Sequence, residues 1–222
     1  MKTTDSAQVE KIVLAGGCFW GTQRLLSLLH GVRRTRVGFA NSEVENPTYK
    51  EVCTGTTGAV EAVEVEYNAT VVDLAKLLDF FVKSIDPTAK DRQGNDLGTQ
   101  YRTGIYYTTD SQKRVALEVM ERLQKRYEKP VVTEVLPLKN FYEAEPEHQD
   151  YLGKNPGGYC HVSRELMAQA RHTDILKPGA PTESTHADAD YADEATHAAA
   201  HHQPYENDAV YPDTKYRNKP GE

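Results

Sequence analysis

One cysteine in this sequence is surrounded by residue types that would support nucleophilic chemistry. Cys18 directly follows Gly16 and Gly17 and directly precedes Phe19 and Trp20. An apolar run before it predicts a strand and the leucine spacing after it predicts a helix, so the cysteine lies at a helix N-terminus. The positive end of the helix dipole stabilises a thiolate, and the paired glycines leave the sulfur uncovered. The pattern therefore indicates a reactive thiol, and a buried cysteine that only fills space is the alternative interpretation.

The aromatic pair that follows the cysteine also allows two interpretations. Phe19 and Trp20 would form an apolar wall for a small apolar group near the reacting atom, or they would be ordinary core residues. Trp20 is the only tryptophan of the chain. Sequence spacing alone does not separate the two interpretations.

A glutamate in a predicted strand is a candidate proton donor. Glu61 is flanked by Val60 and Ala62, and desolvation among apolar neighbours raises the pKa of a carboxyl group. The competing interpretation is a solvated strand face, where charged residues are most often found. Further polar or thiol side chains stand in or beside two turn-rich loops, namely Tyr49, Cys53, Asp96 and Tyr101.

The elements that must position these residues alternate between strands and helices. Strands are predicted over 11–15, 32–40, 60–67, 101–108 and 131–138, and helices over 18–30, 71–85, 111–128 and around 146–152. Residues 41–58 and 89–100 are rich in turn formers and are predicted to be long loops. We expect the strand over 60–67 to carry its glutamates on one face. The order of elements favours an α+β fold with a ferredoxin-like core, a two-layer sandwich of helices on a mixed sheet.

Charge and composition divide the chain into two parts. The 222 residues carry a formal net charge of −7, and the last fifty hold ten acidic side chains against four basic ones. We predict a catalytic domain over residues 1–172 and an acidic, His-containing, disordered tail over 173–222. Neither part has the clustered Lys and Arg that drive nucleic-acid binding, so no nucleic-acid partner is expected.

The compartment and the absence of bound groups are also inferred from composition. No long apolar run precedes the first strand, so we expect no secretory signal, no membrane association and a cytoplasmic location. Three scattered cysteines do not make a disulfide scaffold. Because the body lacks a Cys-x-x-Cys pair and histidines at ligand spacing, we predict neither a metal site nor another cofactor. His148 and His161 are interpreted as structural or surface groups.

Five stretches taken together resemble the signature sequences of peptide methionine sulfoxide reductase A. They are, in order, GGCFWGTQ, NPTYKEVCTGTTG, VEAVEVEY, NDLGTQYRTGIYY and HQDYLGKNPGGYCH. The resemblance covers residues 11–161. It implies reduction of the S epimer of methionine sulfoxide to methionine, with free methionine sulfoxide, peptides and oxidised proteins as substrates. We expect such an enzyme to be a monomer.

The resemblance also implies roles for the candidate residues. Cys18 would attack the sulfoxide sulfur, and Phe19 and Trp20 would hold the ε-methyl group of the substrate. Sulfoxide oxygen is a poor leaving group until it accepts a proton, so hydroxyl groups and a protonated carboxyl must converge on it. The group implied to do so consists of Tyr49, Glu61 and Tyr101, with Asp96 in support.

A second cysteine would complete the cycle. The attack leaves a sulfenic acid on Cys18, and a thiol can condense with it to a disulfide. Cys160, in a glycine-containing stretch, matches the resolving cysteine of the family, and thioredoxin would reduce the Cys18–Cys160 disulfide. Cys53 has no catalytic part in the resemblance and is interpreted as structural.

The sequence departs from the family pattern and leaves other functions open. Relatives often have His-Ala before the glutamate, where this chain has Ala59-Val60, and no further cysteine follows Cys160. A two-cysteine cycle is therefore expected. The alternatives are another thiol enzyme, such as a thiol peroxidase or a cysteine hydrolase, and a module that only binds oxidised methionine.

Overall fold

A computed structural model describes residues 8–180 of the chain, and a mixed sheet forms its centre. The strands in chain order are β1 (Val9–Gly16), β2 (Val32–Ala40), β3 (Val60–Asn68), β4 (Arg92–Gln93), β5 (Asp96–Leu97), β6 (Thr103–Tyr107), β7 (Glu134–Pro137) and β8 (Phe141–Glu143). Six of them form one sheet in the order β7-β6-β1-β3-β2-β8, and β4 and β5 form a separate hairpin. In the large sheet β6 and β7 are parallel, and the other neighbouring strands are antiparallel.

Six α-helices accompany the strands in the described part of the chain. They are α1 (Phe19–Ser27), α2 (Tyr49–Cys53), α3 (Leu74–Phe81), α4 (Asp110–Gln124), α5 (Tyr151–Lys154) and α6 (Arg164–Ala170). Asp73, Thr109 and Ser163 cap α3, α4 and α6, because each side-chain oxygen accepts a backbone N–H of the first turn. The caps explain why these helices begin where they do.

The two faces of the sheet carry cores of different size. Ile12 and Leu14 of β1 point into the larger core, where α1, α3 and α4 pack on the sheet. Val13 and Ala15 point to the opposite face and pack in a smaller cluster with Tyr106. Side chains alternate between faces along a strand, so β1 is buried on both sides. The fold is α+β, as the sequence predicted.

The expectation that β3 carries its glutamates on one face is wrong. Glu61 lies on the face of the larger core, on the same side as Val63. Glu64 lies on the opposite face, where it pairs with Arg36 and Lys11. Positions 61 and 64 differ by three, an odd number, and the side chains on one face of a strand recur at every second residue. Glu61 is therefore the glutamate of this strand that faces the helices.

Several other elements differ from the prediction. The predicted loop over 41–58 contains α2, which begins with a capping box between Thr48 and Glu51. The predicted loop over 89–100 contains the β4–β5 hairpin. Tyr101 does not belong to the strand β6. It lies in the 3-10 turn Thr99–Tyr101 that precedes this strand. The strand β8 and the helix α6 were not predicted.

The packed body continues beyond the predicted boundary at His172. Ile175 is fully buried, and its carbonyl accepts the backbone N–H of Asp73 at 2.8 Å. Leu176 forms a β-bridge with Val72. Residues 173–180 therefore belong to the folded body, and the boundary at 172 is too early. The predicted disorder of the remaining tail falls outside the described residues. Between residues 8 and 180, no helix is long and apolar enough to cross a membrane.

Candidate active site

Cys18 lies at the junction of β1 and α1. It is the N-cap residue of α1 and is 6% exposed. Gly17 has φ +84°, and a Cβ there would lie 2.5 Å from the Cβ of Gln93. Only glycine combines that backbone conformation with so little space. The backbone N–H groups of Trp20 and Gly21 face the Cys18 sulfur and lower its pKa, in agreement with the predicted position at a helix start.

The pKa of the Cys18 thiol is raised well above its ordinary value. Burial is the largest cause, and the negative charges of Glu61 and Asp96 add to it. The N–H groups at the helix start act in the opposite direction but do not outweigh burial. The resting group is therefore a thiol. The helix start is placed to stabilise the anion once the proton has left.

Glu61 is the buried carboxyl of the site. It is 1% exposed, and its Oε2 accepts the backbone N–H of Phe19 at 3.0 Å. Burial raises its pKa to about 8, with Asp96 adding to the shift and the Phe19 hydrogen bond opposing it. The carboxyl is therefore mostly protonated at neutral pH and can donate a proton. Glu61 is therefore a buried carboxyl and does not lie on a solvated strand face.

Tyr49 and Tyr101 lie in the same electrostatic environment. Burial raises the pKa of both hydroxyl groups, and the charge of Glu61 is the second cause for each. Cys18 also contributes to both shifts. The two hydroxyls therefore stay protonated and lie near Glu61 and Cys18, where they can act as hydrogen-bond donors.

Local hydrogen bonds place each tyrosine. Tyr49 opens α2, and its backbone N–H donates to Glu145 Oε1 at 3.0 Å. The turn that carries Tyr101 is held by Arg102, whose guanidinium donates to the carbonyls of Thr99 at 2.9 Å and Gly58 at 2.7 Å. Arg102 thus ties this turn to the segment that leads into β3 and Glu61.

Asp96 lies at the edge of the same site. It is 8% exposed in β5, and the Tyr159 hydroxyl donates to its Oδ2 at 2.9 Å. Burial raises its pKa, and the Tyr159 hydrogen bond opposes the shift. Tyr159 directly precedes Cys160 in sequence, so this bond attaches the segment of the second cysteine to the hairpin.

An aromatic wall surrounds the start of α1. Trp20 stacks on Tyr151 with ring centroids 3.9 Å apart. His148 lies 4.6 Å from Tyr49 and 5.4 Å from Phe19, measured between ring centroids. Burial lowers the pKa of His148, so the ring is neutral at neutral pH. Phe19 and Trp20 are thus buried core residues that also lie beside Cys18.

His148 and Tyr151 are site residues that the sequence analysis missed. The interpretation of His148 as a structural or surface group is incomplete, because its ring packs against the aromatic residues of the site. The spacing of three between these residues, in a stretch predicted to be helical around 146–152, was the available signal, although the helix α5 begins only at Tyr151 and His148 lies in the turn before it.

Cys160 lies beside the first turn of α1. Cys18, Cys53 and Cys160 are all free thiols. A Cβ at Gly21 would lie 3.1 Å from the Cys160 sulfur, and the N–H of the same glycine faces the Cys18 sulfur. Both sulfurs therefore flank one residue of α1. The Cys160 thiol donates to the Val162 carbonyl at 3.4 Å.

Cys53 lies beside Tyr49, and the Ala59-Val60 pair directly precedes Glu61. Cys53 is half-buried, and burial raises its pKa to about 11, while the neighbouring Tyr49 hydroxyl opposes the shift. Ala59 is 2% exposed, and Val60 packs in the smaller core on the opposite face of β3 from Glu61. The apolar pair therefore fits a buried position without moving Glu61.

This chain matches a family model and curated proteins of one enzyme family. The family model described as peptide methionine sulfoxide reductase matches residues 10–178. Among curated proteins, the peptide methionine sulfoxide reductase MsrA of Clostridium acetobutylicum is 52% identical over 159 residues, which cover 72% of this chain and 98% of the relative. The MsrA of Mycoplasma genitalium is 50% identical over 154 residues, which cover 69% of this chain and 98% of the relative.

Solved structures of the same family share the fold of this chain. Mxr1 of Saccharomyces cerevisiae in its reduced form matches with a TM-score of 0.68 and 37% identity, covering 72% of this chain and 94% of that one. Methionine sulfoxide reductase A of Corynebacterium diphtheriae matches with a TM-score of 0.65 and 41% identity, covering 70% of this chain and 79% of that one. The chain therefore belongs to the peptide methionine sulfoxide reductase family.

Proposed function

We propose that this chain reduces the S epimer of methionine sulfoxide, free or within peptides and oxidised proteins, to methionine. The observation that carries the proposal is the placement of a protonated carboxyl beside a buried thiol. Glu61, with a pKa near 8, accepts the N–H of the residue that follows Cys18. A proton donor fixed against the nucleophile's own helix suits a reaction whose leaving oxygen must be protonated.

The aromatic wall holds the apolar end of the substrate. Phe19 and Trp20 present buried rings next to Cys18, and Tyr151 extends the surface by stacking on Trp20. A methyl group on sulfur packs favourably against such rings, and this contact brings the sulfoxide sulfur toward Cys18.

The oxygen faces three proton-bearing groups. The Tyr49 and Tyr101 hydroxyls donate hydrogen bonds to it, and Glu61 donates a proton.

The Cys18 sulfur bonds to the sulfoxide sulfur while the Cys18 proton passes to the Glu61 carboxylate. The oxygen then transfers from the substrate sulfur to the Cys18 sulfur. Cys18 thereby becomes a sulfenic acid, and the substrate is released as a thioether. The sulfoxide is reduced by two electrons, the thiol is oxidised by two, and Glu61 regains its proton. Asp96 supports Glu61 by keeping its pKa high.

Cys160 regenerates the thiol through a disulfide. Its sulfur attacks the Cys18 sulfenic acid, which releases water and forms the Cys18–Cys160 disulfide. A dithiol reductant of the thioredoxin type then reduces this bond by exchange. Both cysteines flank Gly21, which supports a short approach.

The fold and domain assignments complete the proposal. We infer a ferredoxin-like core, since strands β6, β1, β3 and β2 lie side by side and antiparallel in that order with α1 and α3 as the crossing helices. The catalytic domain is proposed to end within residues 173–180 and not at 172, with a separate acidic segment after it. Cytoplasmic location and a monomeric state stay predictions.

Steady-state turnover tests the proposed function. The full chain, thioredoxin and thioredoxin reductase are supplied with each epimer of a methionine sulfoxide peptide, with the sulfone and with hydrogen peroxide. We expect turnover of the S epimer and none of the sulfone. Preferential turnover of peroxide would favour a thiol peroxidase, and saturable binding without any methionine product would favour a binding module.

A further inference from the structure

The imidazole of His161 lies against the backbone that carries the nucleophile. A Cβ at Gly21 would lie 3.1 Å from His161 Nδ1 and 3.1 Å from the Cys160 sulfur. A Cβ at Gly17 would lie 3.6 Å from His161 Nε2. The ring therefore spans from Gly17 to Gly21, across the residues that flank Cys18, with Nδ1 on the side of Cys160. The interpretation of His161 as only a structural or surface group does not account for this placement.

The ring is shielded from solvent and lacks a fixed partner. Neither nitrogen of His161 is solvent-accessible, and neither has a hydrogen-bond partner among residues 8–180. The Gly16 carbonyl faces the ring without meeting hydrogen-bond geometry. It slightly favours the protonated form, and burial lowers the pKa by more. Buried polar groups usually have partners, so an imidazole held here without one needs an explanation.

The resolving thiol needs a proton acceptor. Burial raises the pKa of Cys160, and its proton is directed at the Val162 carbonyl, which cannot take it. Only the thiolate attacks another sulfur efficiently. A neutral imidazole beside this thiol has a ring nitrogen with a free lone pair that can accept the proton.

We propose that His161 is the proton acceptor for Cys160 in the disulfide-forming step, a role that rests on the proposed reductase function. Nδ1 takes the thiol proton, and the Cys160 sulfur attacks the Cys18 sulfur and forms the S–S bond. The S–O bond of the sulfenic acid breaks, and the leaving hydroxide takes the proton from the imidazolium as water. Cys160 is oxidised, the Cys18 sulfenic acid is reduced, and His161 returns to its neutral form.

A cleft lies beside the His161 ring. His161 lines this cleft of about 420 Å³ together with Lys83, Ser84, Ser163 and Glu165. The lining is mainly polar. It is also large enough for a free imidazole molecule to enter when the side chain is removed.

Rapid quenching of a single turnover tests the proposal in the full chain. His161→Gln keeps much of the side-chain volume, His161→Ala opens the cleft, and His172→Gln, at an exposed position, is the matched control. Methionine release reports the first step, and mass analysis with dimedone trapping reports the Cys18 sulfenic acid and the disulfide. We expect methionine release within about twofold of the parent and disulfide formation slowed about 100-fold, at the lower end of general base effects.

Chemical rescue separates proton transfer from a structural role. Added imidazole should restore disulfide formation in His161→Ala and leave His161→Gln and His172→Gln unchanged. Disulfide formation within twofold of the parent in both His161 variants would overturn the proposal, as would a slow step in His161→Ala that imidazole does not accelerate. If the parent itself releases no methionine, the proposed function fails first, so the two failures are distinguishable.

Discussion

The backbone N–H of Phe19 donates a hydrogen bond to Glu61 Oε2 at 3.0 Å. This bond joins the first residue of α1 to the middle of the sheet, at the position next to Cys18. The same helix start therefore orients the carboxyl and directs the N–H groups of Trp20 and Gly21 toward the Cys18 sulfur. Nucleophile and proton donor are held as one unit, and several expectations depend on that arrangement.

Replacing Glu61 by Gln should remove proton donation while an amide oxygen still accepts the Phe19 N–H. We expect the rate of methionine formation in a single turnover to fall about 10²- to 10⁴-fold, the usual range for a general acid. Glu66→Gln, on the opposite face of β3, is the control and should stay within about twofold of the parent. An equally active Glu61→Gln variant would show that the carboxyl proton is not used.

The pH dependence of the first step should follow the protonated form of Glu61. Because its pKa is raised to about 8, the single-turnover rate should fall as pH rises through about 8. In Glu61→Gln this loss should be absent from the small remaining rate. Stopped-flow or quench measurements between pH 6 and pH 10 distinguish the two profiles, and a parent rate that rises through this window would contradict the assignment.

Glu61 should also make folding stability depend on pH. The folded state holds a proton on this carboxyl up to about pH 8, whereas the ordinary value is 4.5. Between those values the folded state binds more protons than the unfolded state, so its contribution to stability is lost as pH rises. The free energy of unfolding of the parent should therefore fall relative to Glu61→Gln by about 1.4 kcal/mol per pH unit at most, and level off above about pH 8. Urea unfolding of both proteins measures the difference, and a constant difference across this range would exclude the raised pKa.

Gly17 should tolerate no side chain. Gly17→Ala would place a Cβ 2.5 Å from Gln93 Cβ at a residue with φ +84°, which costs about 1–3 kcal/mol of stability and displaces Cys18. Gly157→Ala is the matched control, since no atom lies within 4 Å of its Cβ position. We expect thermal unfolding and single-turnover activity to change in the first variant only. Full activity and parent stability in Gly17→Ala would show that the junction is less constrained than its geometry indicates.

The junction at Cys18 could be predicted because its signals are local. The glycines, the strand before them and the helix after them are contiguous in sequence, and the structure has the same elements there. The burial of Glu61 was open until the fold packed helices on its face of β3, since apolar neighbours on the opposite face indicate burial of the glutamate only when its own face is covered as well. The protonation state of Cys18 could not be read from local sequence either, because burial outweighs the helix start.

The contacts of the C-terminal part of the body could not be read from local pattern. His161 meets Gly17 and Gly21 only because residues after α5 return to the start of α1, and no periodicity encodes such a long-range contact. By contrast, α2 had a readable signal in the capping box from Thr48 to Glu51, which the surrounding turn formers obscured.

The central claim is that Cys18 takes the sulfoxide oxygen and Cys160 then displaces it. Mass analysis after one equivalent of the S epimer, with no reductant, tests this claim most directly in the parent, Cys160→Ser and Cys53→Ser. We predict one methionine per chain in all three, a Cys18–Cys160 disulfide in the parent and Cys53→Ser, and an added oxygen on Cys18 in Cys160→Ser. Methionine released without modification of Cys18, or a disulfide that contains Cys53, would contradict it.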